Sequence, residues 1–245
     1  MNRQGRFLSL SEEVNDYWIE NPVFLKFKKR FELSLMRLVR EKKVCVNERI
    51  IEIPFVIRAL SGLTDGSCIL DLGCSGSPLP LYLSALGLRV TGLDFRRFPY
   101  TFANFEFVQG DILEMPFDDA FFDAVTCIST LEHLGLGYYQ DPKSDRPADE
   151  RAMQEIGRVL KSGGRLVLSV PYGIPGQNEH QRIYNEARLT ELLAGWRIER
   201  KQYYVKVFPD GAWNNFWAKV SAEKAGRVDA AGKTEAVCCI EAVRS

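Results

Sequence analysis

The residues most able to do chemistry are gathered in Ile69-Leu70-Asp71-Leu72-Gly73-Cys74-Ser75-Gly76-Ser77-Pro78 and in Asp94, 21 positions beyond Gly73. A short apolar run that ends in a carboxylate, a glycine turn and then a helix predicts the opening of a nucleotide-cradling βαβ unit. Gly73 and Gly76 let the backbone approach a ligand where a Cβ would collide. Asp94 closes the next apolar run, Arg89-Val90-Thr91-Gly92-Leu93, where a second-strand acid reaches a ribose diol. A dinucleotide loop would continue as G-x-G-x-x-G, but Ser75 and Pro78 stand at the second and third glycines. Asp71, two residues before the turn, would repel a pyrophosphate and attract an amine or a sulfonium.

Three further stretches carry a family pattern: Phe105 to Ile112 with Asp111, Phe122 to His133, and Arg158 to Pro171 with Gly163-Gly164. Together with Asp71-Leu72-Gly73-Cys74, and in this order from about Ser67 to Tyr172, they resemble the class I S-adenosylmethionine-dependent methyltransferases, in the type 11 small-molecule branch. The resemblance implies a Rossmann-like doubly wound α/β sheet, mostly parallel with an antiparallel last strand, and S-adenosylmethionine as cofactor. It implies Asp71 near the methionine amine, and the Gly73, Cys74, Ser75 and Gly76 loop around the methionine moiety. Asp94 with Phe95 would lie at the ribose, Asp111 with Ile112 at the adenine, and Ser129 in the turn under the transferable methyl. Ser75 and Ser77 depart from the family's glycine pattern, which leaves a non-catalytic S-adenosylmethionine-binding scaffold as the alternative to an enzyme.

Methyl transfer to a hydroxyl needs a base for the departing proton. The chain has two histidines, His133 after the predicted fourth strand and His180 after the fifth, and both are candidate bases. His133 could equally pack over the cofactor or cap a helix, and Glu132 suits a helix N-terminus. Tyr138, Tyr172 and Arg182 are the candidate acceptor contacts, because these segments emerge at the same carboxyl edge of the sheet. A small polar acceptor is expected, a sugar or glycan precursor among the possibilities.

The elements that must position these groups follow from pattern. Apolar runs near 67–72, 89–93, 105–109, 124–128 and 165–170, separated by helical or loop segments, predict a mostly parallel sheet with helices on both faces. A helix is expected over 147–161, another around Glu186–Leu193, and strands at Trp196–Val207 and Glu235–Ala242; the resemblance implies that these two pair antiparallel, with Trp213–Ala225 as a helical excursion. Residues 1–66 read as an N-terminal helical cap on a 67–245 cofactor-binding domain, in one folded unit. Phe24, Phe27, Phe31, Leu35 and Leu38 form an amphipathic stripe with a basic opposite face, and Pro54 suits the first turn of a later helix.

Composition narrows the rest. The 245 residues are 46% hydrophobic and 26% charged, with 32 basic and 32 acidic side chains. That balance gives no pull toward nucleic acid or an anionic membrane. The turn Ser129-Thr130-Leu131 replaces the N-P-P-Y signature of amino-directed nucleic-acid methyltransferases. Six cysteines lack C-x-x-C spacing and read as small hydrophobes, and no metal site is expected. The start of the chain lacks an apolar stretch long enough for a signal peptide, no membrane span is apparent, and a cytoplasmic location is the expectation.

Overall fold

The computed structural model describes residues 46–137, 147–208, 215–229 and 234–244. The aromatic stripe at Phe24–Leu38 and the acceptor candidate Tyr138 lie outside them.

Period-two alternation in the apolar runs decides how the sheet is covered. In β1 (Cys68–Leu72), Ile69 packs with Phe55, Val56, Leu79 and Leu83, whereas Leu70 and Leu72 join Leu93, Val125 and Ile156 on the other side. Both faces are buried, as strands of a parallel sheet require. The partners come from α1 (Arg49–Leu60), α2 (Leu79–Ala85) and α3 (Ala148–Val159). The remaining parallel strands are β2 (Arg89–Asp94), β3 (Phe105–Gln109), β4 (Phe122–Ile128) and β5 (Leu160–Pro171).

After β5 come the short hairpin β6 (Gly176–Gln177) and β7 (Arg182–Ile183), then α4 (Glu186–Leu192) and β8 (Trp196–Val207). The chain closes with β9 (Phe216–Val220), α5 (Ala222–Gly226) and β10 (Ala236–Arg244). The eight-stranded sheet runs β3-β2-β1-β4-β5-β10-β8-β9. Strands β1 to β5 are parallel, and β10 lies antiparallel between β5 and β8. The order reverses between β1 and β4, which opens a ligand crevice at their carboxyl ends.

Three local expectations are corrected. Pro54 sits inside α1, which begins five residues earlier at Arg49; the amide it lacks would have bonded exposed Ile50, where water can replace it. The 147–161 helix ends at Val159, because Leu160 already pairs with Phe122 at the start of β5. The excursion after Trp213 contains strand β9, whose Phe-Trp-Ala-Lys-Val pairs antiparallel with Val207 to Tyr203, and among the described residues helix is confined there to α5. Among the described residues no helix is long and apolar enough to cross a membrane.

Candidate functional site

A cavity of about 310 Å³ opens where β1, β2 and β4 end, within the size range of small-ligand sites. Its floor is the turn after β1. Gly73 takes φ +70°, and its amide donates to Leu93 O over 2.8 Å. A Cβ there would stand 2.2 Å from Thr130 Oγ1, so both the backbone angle and the neighbour require glycine. Gly76, also at positive φ, lines the same wall with Ser75.

Asp94 ends β2 with both oxygens engaged. Oδ2 accepts from the Ser75 amide at 2.8 Å, Oδ1 accepts from the Arg96 amide at 2.8 Å, and the Arg96 guanidinium spans the two. Phe95, Asp111 and Ile112 continue the lining, with Asp111 Oδ1 accepting from the Leu113 amide. Ser129, at the end of β4, holds φ +43°, an angle that L residues seldom adopt. Its amide donates to Ser169 Oγ, and its hydroxyl donates to Glu52 Oε1.

Asp71 and Cys74 lie beneath this surface and do not line it. Asp71 Oδ1 accepts from Thr126 Oγ1 at 2.6 Å, while Oδ2 is buried with no hydrogen-bond partner among the described residues. Burial pushes its carboxyl up to about 7. The Cys74 sulfur packs against Gly92, where a Cβ would be 2.7 Å away, and burial drives its thiol well up.

At the other end of the cavity, the 3₁₀ turn Leu131–His133 presents Glu132 and His133. His133 Nδ1 bonds the carbonyl oxygen of His180; a carbonyl can only accept, so Nδ1 carries the hydrogen. Nε2 lies 3.6 Å from Glu132 Oε1. The Glu132 carboxyl is buried, which raises it to about 8, and its Oε2 has no partner among the described residues.

The structure does not bring every candidate here. The His180 side chain lies off the cavity, its Nε2 3.3 Å from Glu179. Arg182 donates to Leu134 O at 2.7 Å and braces the 3₁₀ turn from outside. Tyr172 is buried against Tyr203, with its hydroxyl toward Glu186, and does not line the cavity.

Sequence reasoning passed over Glu48, Arg49, Thr130, Gln181 and Thr234, all of which line the cavity. It also passed over Glu52, fully buried and accepting from Arg49 Nη1, Ser129 Oγ and Ser169 Oγ within 2.7 Å. The available signal was Ile50-Ile51-Glu52-Ile53, a lone carboxylate inside an apolar helical run.

A glycine cradle, an orphaned carboxylate oxygen beneath it and acids at the ends of β2 and β3 suit a ligand with an amine, a diol and an adenine. Comparison with known proteins agrees. Residues 70–168 match the family described as methyltransferase domain. The sterol 24-C-methyltransferase of Gibberella zeae is 34% identical over 115 residues, 42% of this chain and 27% of that protein. The ubiquinone biosynthesis O-methyltransferase of Alkalilimnicola ehrlichii is 29% identical over 130 residues, 49% of this chain and 47% of that one. Among solved structures, the Burkholderia thailandensis 1,6-didemethyltoxoflavin-N1-methyltransferase superposes with a TM-score of 0.57 at 17% identity, covering 100% of this chain and 91% of that one.

Over residues 70–168 the chain is similar to the S-adenosylmethionine-dependent methyltransferases, and its fold is that of solved methyltransferase structures. It spans between about a quarter and a half of the curated relatives it matches first.

Proposed function

We propose that this protein methylates a hydroxyl of a small polar acceptor, such as a sugar or glycan precursor, with His133 as the base. S-adenosylmethionine supplies a sulfonium-bound methyl that an incoming nucleophile can take. In this reading Asp94 accepts from the ribose diol after Arg96 moves aside, and Asp111 accepts from the adenine amine. The backbone from Gly73 to Gly76 cradles the methionine moiety, and buried Asp71 favours its ammonium from below. Ser129 and Thr130 form the turn beside the reacting centre.

The observation that carries the hydroxyl assignment is the pinned imidazole. His133 Nδ1 is held by the His180 carbonyl, so the neutral ring keeps its lone pair on Nε2 at the polar end of the cavity. A hydroxyl nucleophile loses its proton as oxygen bonds the methyl carbon, and Nε2 can receive it. Gln181 and Thr234 add an amide and a hydroxyl to that end, which suits an acceptor rich in hydroxyls. His180 acts in this scheme through its backbone, and Tyr172 and Arg182 support the walls.

The test is release of S-adenosylhomocysteine by the full chain against a panel of sugars, nucleotide sugars, phenols and amines. Turnover with hydroxyl acceptors, lowered about 10²–10⁴-fold in His133→Ala with cofactor affinity retained, supports the reading. Turnover confined to amines, or undiminished in the variant, contradicts it.

A further inference from the structure

We propose that Glu132 is a positioning residue that balances charge in this cavity: its carboxyl holds a proton in the free protein, releases it to solvent when a cationic cofactor enters, and then steadies a protonated His133. The inference rests on the reading that the cavity takes S-adenosylmethionine, and it adds a role that the reading above does not need.

Geometry carries it. Glu132 lines the same cavity as Gly73, Ser129 and Thr130, yet its carboxyl is buried, with Oε2 unpartnered among the described residues. Such an atom is costly as an anion without compensation and tolerable as a neutral acid. The groups around it do not supply that compensation. Helix α1 and the residue before it present Arg49, Glu52 and Glu48, and Arg49 is already committed to Glu52 at 2.7 Å. Cys127 of β4 is a buried thiol, and Tyr184, after β7, is a buried phenol beside Asp149 of α3. Arg182 spends its guanidinium on the carbonyls of Leu134 and Glu132. The carboxyl, raised to about 8, is therefore mostly protonated at pH 7.

A positive charge brought into the cavity reverses that balance and favours the carboxylate. His133 Nε2, 3.6 Å from Glu132 Oε1, then has an anion beside it when it accepts the acceptor's proton. The charge count closes at each stage. One proton leaves Glu132 for solvent as the cation enters. When the acceptor oxygen bonds the methyl carbon, its proton passes to Nε2, and an imidazolium replaces the sulfonium as the partner of the carboxylate.

The test compares S-adenosylmethionine with S-adenosylhomocysteine, which lacks the sulfonium charge, by calorimetric titration of the full chain in buffers of different ionisation enthalpy. At pH 7 the first ligand should release about half a proton or more beyond the second. At pH 9.5, where the carboxyl is already ionised, the difference should vanish in the wild-type protein. It should also vanish at pH 7 in Glu132→Gln and persist in Asp71→Asn, with folding of each checked by melting. Equal proton counts for the two ligands at pH 7, or a difference that survives in Glu132→Gln, overturns the role of Glu132 and leaves the cofactor reading standing. Failure of either ligand to bind the folded wild-type protein overturns both.

Discussion

The Ser129 hydroxyl donates to Glu52 Oε1 over 2.7 Å, tying helix α1 to the turn that ends β4 across 77 positions of sequence. Ser169 Oγ donates to the same oxygen and Arg49 to the other, so one buried carboxylate holds β4, β5 and α1 together beside the cavity. Ser129 keeps its unfavourable backbone angle within this network, since its amide is also bonded to Ser169.

Removing that carboxylate should be costly. Glu52→Ala deprives two hydroxyls of their acceptor and leaves the Arg49 guanidinium only the Ile128 carbonyl, and a loss of about 2–4 kcal/mol is expected. Denaturant unfolding measures it. A change within about 0.5 kcal/mol, ordinary for an uninvolved surface site, would show the network to be incidental.

Gly73→Ala should damage the cavity floor in two separable ways. The new Cβ meets Thr130 Oγ1, and φ +70° is strained for any L side chain. Pairing it with Thr130→Ala removes Oγ1 and Cγ2 but leaves the residue-130 Cβ 2.9 Å away, so the double variant should regain part of the stability lost in Gly73→Ala alone while retaining at least about 1–2 kcal/mol of backbone cost. A double variant no more stable than the single would mean that the overlap is absorbed by a shift of the turn.

Burial raises Asp71 to about 7 and Glu132 to about 8, above their unfolded values of 3.8 and 4.5. The native state therefore binds more protons than the unfolded chain between about pH 4.5 and 8, and these groups make stability fall as pH rises through that window. Asp123, Glu155 and Glu186, lowered by Lys161, Arg158 and Lys201, act oppositely at more acid pH. Melting temperature should decline from pH 5.5 to 8.5 in the wild-type protein. The decline should be shallower in Glu132→Gln, and an unchanged slope there would argue against a protonated buried Glu132.

How much of this was legible in the chain depends on sequence distance. Asp94 ends its own strand, and Gly73, Asp111 and Ser129 come one or two residues after theirs, so a strand-turn pattern brings them to one sheet edge. Arg49 and Glu52 reach the same place from a helix outside those motifs, and the lone carboxylate among Ile50, Ile51 and Ile53 marks a buried acid without saying what it faces. Arg182 and Tyr172 stand in segments that do leave the correct edge, but their polar groups are consumed by Leu134 O and Glu186. Strand β9 was hidden because pairing with Tyr203–Val207, rather than any periodicity of its own, decides its conformation.

The central claim is that this cavity binds S-adenosylmethionine through the acid that closes β2, and calorimetric titration of the wild-type chain and Asp94→Ala tests it most directly. Saturable one-to-one binding by the wild type, weakened at least about tenfold in a variant that melts normally, is the predicted result; it corresponds to losing about 1.5–3 kcal/mol of charge-assisted hydrogen bonding. Unchanged affinity in folded Asp94→Ala, or binding of a nicotinamide dinucleotide in preference to S-adenosylmethionine, would contradict it.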